Sequence, residues 1–292
     1  MSKALHNDLP FRFGTVGTPL SAPKNGGSAG GAQRIRELSL DALELAWVQS
    51  VRVSDEACVR IREAAATNDV ALSVHASYFI NLNAATEEMW QAGRERLLTA
   101  CRAGAKAGAT DIIFHPGSYM KMEPVVAWRI ARDRLAEVSE TLVREKVAVT
   151  LRPETMGKQA MLGTLEECIA WSREIENVLP CVDFAHLHAR PGDGSFNTYD
   201  EFAGALRLIA AGLGDRGLRA MHIHFSGIEY TAKGEKRHLN LDKADVDYKA
   251  LFQALADFGA GGRVMSETPN MEEGAIVMRN AYQRARTRAR KP

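Results

Sequence analysis

Val74-His75-Ala76-Ser77-Tyr78-Phe79-Ile80-Asn81-Leu82 is the stretch that decides the fold class, because a short apolar run ends there on a side chain able to bind a metal. The same combination recurs at later points in the chain. Each apolar run is typical of a buried strand, and the polar residues at the strand ends are His75, His115, Glu154, Asp183 with His186, His222, and Glu267. One histidine after a strand means little, whereas a succession of such strand ends indicates a repeated structural unit.

Strand-like and helical segments alternate along the chain. The strand-like segments are 11–17, 42–47, 69–75, 111–117, 147–154, 178–184, 218–225 and 263–268, and apolar residues recur at helical spacing between them. Parallel strands joined by right-handed helical crossovers close into a barrel at eight strands, so we expect an α/β fold, a single-domain (β/α)8 TIM barrel. A doubly wound open sheet is the alternative, but no Gly-x-Gly-x-x-Gly motif follows the first strand.

The sequence also predicts where the barrel begins and ends. We expect it to occupy residues 11–283, between an N-terminal tail of residues 1–10 and a basic C-terminal tail of residues 284–292. The stretch from Thr18 to Gly31 is rich in Gly, Ser and Pro and predicts a long loop, which in a compact domain is often functional or mobile. Thr164 with Glu167 three residues later predicts a capping box at a helix start.

Composition places the protein in a broad class. The chain is 46% hydrophobic and 25% charged, as in globular domains, and its net charge of +1 gives no global signal for a polyanionic partner. Nucleic-acid binding would have to depend on local patches. Four widely spaced cysteines without a Cys-x-x-Cys pair favour free thiols in a reducing compartment. The N-terminus lacks an apolar signal core, and no apolar run approaches the roughly eighteen residues of a membrane span. We therefore expect a cytoplasmic protein.

The strand-end residues have the chemistry of a metal site. Side chains at the carboxyl ends of barrel strands converge over one mouth, so ligands far apart in sequence can bind one ion. Imidazole nitrogen with carboxylate oxygen suits Zn²⁺, Mn²⁺ or Fe²⁺ better than Mg²⁺. The carboxylates of Glu154 and Glu267 can each bridge two ions, which allows a multinuclear site for phosphoryl chemistry.

Each candidate ligand also has an ordinary structural explanation. A histidine such as His75, taken alone, is more often a hydrogen-bonded core residue, Glu154 could pair with Arg152, and Asp183 is placed to cap the next helix. Within the alternating pairs 186/188 and 222/224 we expect one histidine each to face the ions. These explanations do not account for why every histidine after the sixth residue lies at a strand end or in the loop that follows one.

These residues resemble the endonuclease IV family of apurinic/apyrimidinic endonucleases, from about the third strand to the eighth. The segments that carry the resemblance are His75-Ala76-Ser77-Tyr78-Phe79-Ile80-Asn81-Leu82, Phe114-His115-Pro116-Gly117-Ser118, Pro153-Glu154-Thr155-Met156-Gly157, Asp183-Phe184-Ala185-His186, Met221-His222 and Ser266-Glu267-Thr268. That family is a (β/α)8 barrel with three zinc ions within the xylose isomerase-like superfamily. It cleaves DNA 5′ of abasic sites in base excision repair.

The resemblance implies a ligand set for each zinc ion. One ion would be held by His75, His115 and Glu154; a second by Glu154, Asp183, His222 and Glu267; and a third by His186 with residues of Gly234-Glu235-Lys236-Arg237-His238. The family completes its third site with an Asp-x-His pair. Here His238 matches the histidine, but the Asp position falls on Lys236, so Glu235 is the substitute ligand that a shifted backbone would supply.

The resemblance further implies a reaction and a partner. A metal-bound hydroxide would attack the phosphodiester in line, with Glu154 and Glu267 as catalytic residues and Glu267 orienting or deprotonating the water. Tyr78 and Phe79 match the family's DNA-intercalating pair, and packing over the barrel mouth is their alternative role. The partner would be double-stranded DNA with abasic sites, bound by a monomer. The basic tail could add nonspecific phosphate contacts, although a solvated terminus explains it equally simply.

Two other functions fit part of the pattern. A sugar isomerase or epimerase of the same superfamily needs about four ligands for one divalent ion, which would leave the cluster of His75, His115 and His186 unexplained. A barrel that binds damaged DNA or a nucleotide without cleavage would use metals only structurally. The number of ions bound per chain separates the first alternative from phosphodiester hydrolysis, and turnover separates the second.

Overall fold

A computed structural model describes residues 9–289 and shows eight parallel strands arranged around an axis. These eight are β1 (Phe11–Val16), β2 (Ala42–Ala46), β3 (Ala71–His75), β4 (Ala109–Phe114), β5 (Thr150–Pro153), β6 (Cys181–Asp183), β7 (Met221–Phe225) and β10 (Gly262–Ser266). Two further strands, β8 (Gly227–Thr231) and β9 (Gly234–Leu239), form a separate antiparallel hairpin. The parallel sheet has the order β5-β4-β3-β2-β1-β10-β7-β6. Isolated parallel bridges from Leu151 to Val178 and from Glu154 to Cys181 join its two edges, so the sheet is a nearly closed barrel.

Helices surround the strands. They are α1 (Gly27–Glu37), α2 (Asp55–Thr67), α3 (Glu87–Ala107), α4 (Pro124–Glu145), α5 (Leu165–Glu174), α6 (Phe184–Ala189), α7 (Tyr199–Arg219), α8 (Tyr248–Asp257) and α9 (Glu272–Ala289), with a 3₁₀ turn at Leu241–Lys243. Their apolar faces bury against the outside of the sheet. Phe13 of β1 lies 6.3 Å from the ring of Phe252 in α8 and 5.9 Å from that of Tyr282 in α9. This aromatic packing fixes the last two helices on the first strand.

The structure confirms the predicted single-domain TIM barrel, and the open-sheet alternative is wrong because β5 and β6 are bridged. The capping box is confirmed: the Thr164 hydroxyl accepts from the Glu167 amide, and the Glu167 carboxylate accepts from the Thr164 amide. The predicted loop is shorter than expected, since α1 already begins at Gly27. All four cysteines are buried free thiols, and no helix within residues 9–289 is long and apolar enough to cross a membrane.

The predicted terminal tails are only partly within the described chain. Residues 1–8 and 290–292 lie outside it. Residues 284–289, which the sequence assigned to a basic tail, are instead the last turns of α9, where Ala285 is buried against the core. Apolar residues at helical spacing continue past the predicted boundary, and this spacing carries the helix onward.

Charged side chains close the amino-terminal end of the barrel, and we call Asp111, Arg152 and Arg263 the barrel floor. Arg152 donates from Nε to Asp111 Oδ1 at 2.6 Å, and its Nη atoms donate to backbone carbonyls. Arg263 Nη1 lies 3.0 Å from Asp111 Oδ2. Burial alone would raise the pKa of Asp111, but the two guanidinium groups hold it well below its ordinary value. The floor is therefore a structural network in which one carboxylate is held between two guanidinium groups.

Candidate metal centre

The carboxyl ends of the strands bring the predicted ligands together at the opposite end of the barrel. Within residues 9–289, five groups of side chains have donor atoms that lie within 4.8 Å of one another, and three of them consist of strand-end and hairpin residues at this end. The first group is His75, His115 and Glu154; the second is Glu154, Asp183, His224 and Glu267; the third is His186, Glu235 and His238. The two remaining groups are Cys181, His222 and His224, and Glu44, His75 and His224. Residues from six strand ends and one hairpin thus meet in the first three groups, which we call the mouth cluster.

Glu154 connects the first two groups. It is fully buried just after β5, and neither carboxylate oxygen has a hydrogen-bond partner. Its Oε2 lies 3.4 Å from Nε2 of His75 and 3.4 Å from Nε2 of His115, while its Oε1 lies 3.4 Å from Nδ1 of His224. Ligand atoms at about 2.0–2.1 Å from a tetrahedral zinc ion are roughly 3.3 Å apart. The spacing therefore fits cations on both sides of Glu154.

The second group concentrates negative charge in a dry environment. His224 Nδ1 lies 3.6 Å from Oε1 of Glu267, and Asp183 Oδ2 and Glu267 Oε2 are buried without hydrogen-bond partners. Burial raises the pKa of Asp183 to about 7; the charge of His186 opposes this shift, and the carboxylates of Glu267 and Glu154 add to it. Unsatisfied buried carboxylates are rare unless a cation is bound. The donor set therefore fits a divalent metal ion.

A β-bulge completes the third group. β8 and β9 form an antiparallel hairpin after β7, in which Glu229 faces Arg237 and Tyr230 faces Glu235. Lys236 has no partner across this ladder. The extra residue places Glu235 and His238 on one face of the strand although they are three positions apart. The structure thus brings Glu235 to His186, at 3.6 Å between Oε2 and Nε2, and leaves Lys236 to pair with Glu229.

Backbone carbonyls orient three of the histidines. The Nδ1 atoms of His75, His186 and His238 lie 3.0, 2.9 and 3.2 Å from the carbonyl oxygens of Ala76, Thr155 and Glu267, respectively. A ring nitrogen that donates to a carbonyl leaves the other nitrogen, Nε2, with its lone pair for a metal. This is the arrangement of metal-binding histidines in proteins, and it supports ligand roles for all three.

The structure corrects the assignment of His222. Side chains two residues apart lie on the same face of a strand, so His222 and His224 both point into the barrel and differ in depth rather than in direction. His224 is nearer the carboxyl end and joins Glu154, Asp183 and Glu267. His222 lies deeper, with Nε2 at 2.9 Å from Glu44 Oε2. His224 is therefore the histidine of β7 that lies in the mouth cluster, where the resemblance had implied His222.

Of the alternative structural roles expected for Asp183, Glu154 and His188, the helix cap at Asp183 is present and the other two are not. Asp183 does cap α6, because its Oδ1 accepts from the His186 amide at 2.8 Å, yet this leaves Oδ2 free to face the cluster. Arg152 pairs with Asp111 of the floor rather than with Glu154. His188, expected in solvent, is buried and lies 3.1 Å from Asp245.

Tyr78 and Phe79 lie beside the cluster in different environments. The Tyr78 ring stacks on His115 at a centroid distance of 5.0 Å and meets His75 edge-on at 5.3 Å. Burial raises the pKa of Tyr78 to about 12, and the nearby carboxylate of Glu267 adds to the shift. Phe79 is 61% exposed, against 48% for Tyr78. Tyr78 thus covers two metal-ligand candidates, whereas Phe79 is free to meet a large partner.

Sequence reasoning missed Glu44. This residue lies in β2, is fully buried, and contacts both histidines of β7. The signal was a carboxylate inside the apolar run Ala42-Leu43-Glu44-Leu45-Ala46, where a charge is costly unless it has partners.

The chain belongs to the xylose isomerase-like TIM barrel family, whose pattern matches residues 32–289. An uncharacterized protein of Methanocaldococcus jannaschii is 33% identical over 278 residues, which cover 95% of this chain and 99% of that protein. A "Probable endonuclease 4" of Geobacillus sp. is 29% identical over 184 residues, or 61% of this chain and 59% of the relative. This chain thus matches little more than half the length of that endonuclease.

Solved structures of two kinds share the fold. Endonuclease IV from Thermus thermophilus superimposes with a TM-score of 0.70 at 18% identity and covers 94% of this chain and 100% of its own. A D-tagatose 3-epimerase-like protein superimposes with a TM-score of 0.72 at 18% identity, covering 96% and 98%. Identities this low establish the barrel and leave the reaction to be argued from the site.

Proposed function

We propose that this protein is a metal-dependent phosphodiester hydrolase that cleaves DNA 5′ of abasic sites, with two or three zinc ions as cofactors and Mn²⁺ or Fe²⁺ as alternatives. The observation that carries the proposal is the position of Glu154, whose two buried oxygens each face a different group of donors. A carboxylate shared in this way is a bridging ligand. Paired ions are the usual arrangement for in-line displacement at phosphorus.

The number of donors supports this reaction over chemistry that needs a single ion. The mouth cluster contains nine candidate ligands: His75, His115, Glu154, Asp183, His186, His224, Glu235, His238 and Glu267. A single ion uses about four protein ligands at most in this type of site. The printed name of the Geobacillus relative is consistent with the same chemistry.

The chain's own residues have distinct roles in this proposal. Bound ions would lower the pKa of a water molecule and neutralise charge on the phosphoryl oxygens. Glu154 holds the first two groups at a fixed separation. Glu267 has one buried oxygen without a partner and is the residue placed to orient the attacking water and accept its proton. Phe79, exposed at the rim, is placed to fill the gap left by an extruded abasic nucleotide.

The proposal is tested with zinc- and manganese-loaded protein on a labelled duplex that carries one abasic-site analogue. We expect incision 5′ of the lesion and loss of incision in Glu267→Gln. An undamaged duplex of the same sequence is the substrate control. Intact lesion DNA in the presence of fully metal-loaded protein would contradict the proposal.

A sugar epimerase is the second candidate, and one observation favours it. Glu154, Asp183, His224 and Glu267 alone form a complete four-donor set for one divalent ion. In that case the first and third groups would remain empty at saturating zinc. One ion per chain with turnover of a ketose would support the epimerase, whereas two or three ions per chain favour the phosphodiesterase.

A further inference from the structure

A buried carboxylate lies directly beneath the mouth cluster. Glu44 is in β2 and has no exposed surface. Its Oε2 accepts from the Ser73 hydroxyl at 2.7 Å and lies 2.9 Å from Nε2 of His222. Its Oε1 lies 3.0 Å from Nε2 of His224. Glu44 thus reaches His224 of the second donor group, and it also lies within 4.8 Å of a donor atom of His75.

This contact determines which nitrogen of His224 carries a proton. A carboxylate oxygen at 3.0 Å from an unprotonated ring nitrogen would bring two lone pairs together in a dry interior, which is strongly unfavourable. Nε2 therefore carries the hydrogen. The opposite nitrogen, Nδ1, lies 3.4 Å from Glu154 Oε1 and 3.6 Å from Glu267 Oε1; neither ring nitrogen of His224, nor Oε1 of Glu44, has an aligned hydrogen-bond partner, so the 3.0 Å contact is a close ion pair.

His224 differs in this respect from the other oriented histidines. His75, His186 and His238 each place Nδ1 near a backbone carbonyl, and Nε2 of His75 and of His186 faces Glu154 and Glu235, respectively. His224 has the reverse orientation, with Nδ1 toward the cluster and Nε2 toward a side-chain carboxylate. A carboxylate behind a ligand histidine fixes its tautomer and raises its basicity more than a neutral carbonyl does.

We propose that Glu44 is a positioning residue that holds His224 in the Nε2–H tautomer and so presents Nδ1 to the second donor group. Through its other oxygen, Glu44 joins Ser73 and His222 into the same buried network. This role explains why a carboxylate is retained in the middle of an apolar strand. It rests on the metal centre of the proposed function and is independent of the substrate.

The test is made on ¹⁵N-histidine-labelled protein, first without metal and then titrated with zinc. Long-range ¹H–¹⁵N spectra distinguish the two tautomers, and the His224 signals are assigned by comparison with His224→Asn. In the zinc-bound unmutated protein we expect coordination through Nδ1 with the proton on Nε2. Finding the Nδ1–H tautomer in the unmutated protein would overturn the proposal, even if no Glu44 variant folds.

Glu44→Gln and Ser73→Ala are the matched pair of variants. Glu44→Gln removes the anion at His224, whereas Ser73→Ala removes only a donor to the other oxygen of Glu44. We expect Glu44→Gln to lose the fixed tautomer and to weaken zinc binding at one site by roughly 10–100-fold. Ser73→Ala should retain both properties, and Glu44→Asp should restore the tautomer in part. An unchanged tautomer and unchanged zinc affinity in folded Glu44→Gln would refute the role of Glu44.

The experiment on His224 and the DNA-incision assay can fail independently of each other. If abasic DNA remains intact while His224 shows the expected tautomer and zinc shift, the substrate is wrong and the positioning role stands. If DNA is incised while Glu44→Gln leaves His224 unchanged, the proposed function stands and the positioning role fails.

Discussion

The two ends of the barrel both bury several charges, and they balance them in opposite ways. At the floor, Asp111 forms ion pairs with Arg152 and Arg263, and both arginines donate to backbone carbonyls. The buried polar atoms that lack a hydrogen bond within residues 9–289 include none of theirs. At the mouth, both oxygens of Glu154 and one of Asp183 lack a partner. The polar atoms of the floor are satisfied by protein atoms alone, whereas the mouth keeps buried carboxylate oxygens without hydrogen-bond partners, a feature that fits a metal centre.

This difference distinguishes a structural charge network from a functional one. A buried ion pair with all its hydrogen bonds made contributes to the folded state, and removal of one partner leaves an uncompensated charge. A buried carboxylate cluster without cations instead reduces stability in exchange for binding. Substitutions at the two ends should therefore have separable effects, on folding at the floor and on metal binding and catalysis at the mouth.

The largest effect is expected for Glu154→Gln. The amide keeps the shape of the side chain but cannot bridge two ions as an anion, so both adjoining groups should lose affinity for zinc. We expect incision of abasic DNA to fall on the order of a thousandfold or more. The exposed Glu166→Gln, measured in parallel, should leave both properties unchanged.

Arg152→Met at the floor should lower the stability of the fold and leave metal binding unchanged. It leaves Asp111 buried with only part of its compensation, which is expected to lower the free energy of unfolding by about 3–5 kcal/mol. Denaturant unfolding of the metal-free protein gives this value. The zinc affinity of the folded variant should match that of the unmutated protein, since the mouth residues do not contact Arg152. A variant of full stability that binds less zinc would reverse the assignment of the two ends.

Metal binding should depend on pH through Asp183. The carboxyl group has a pKa of about 7 without metal, because burial and neighbouring carboxylates favour its protonated form. Below that pH a metal ion must displace the proton, so affinity should fall as pH falls, by up to about tenfold per unit for one proton. Calorimetry in buffers of different ionisation enthalpy counts the protons released. Asp183→Asn should release one proton fewer at pH 6, and equal proton release would exclude Asp183 as the group.

The smallest effect is expected at the bulge. Deletion of Lys236 would place Glu235 and His238 two positions apart in a regular strand, where they again share a face. The third donor group should survive, with zinc affinity changed by less than about tenfold. Insertion of one alanine after Lys236 would turn one of the two ligands to the opposite face and should abolish the third ion. Metal analysis of the two variants compares these outcomes directly.

The sequence was sufficient for the barrel and for most of the mouth cluster because both depend on local periodicity. A residue able to bind metal, placed just after an apolar run, can be recognised in each strand separately, and closure of the sheet then brings these residues together. The sequence does not show how deep a side chain lies within the barrel, and for this reason the second ligand set was assigned His222 rather than His224. Glu44 was hidden because its partners lie 178 and 180 positions away in sequence. The bulge at Lys236 depends on pairing across the hairpin, and spacing alone does not encode it.

The central claim is that the mouth of the barrel holds more than one metal ion through Glu154. The most direct measurement is native mass spectrometry of zinc-saturated protein beside Glu154→Gln. We expect two or three ions per chain in the unmutated protein and the loss of at least one in the variant. One ion or none in the unmutated protein, or an identical count in Glu154→Gln, would contradict the claim.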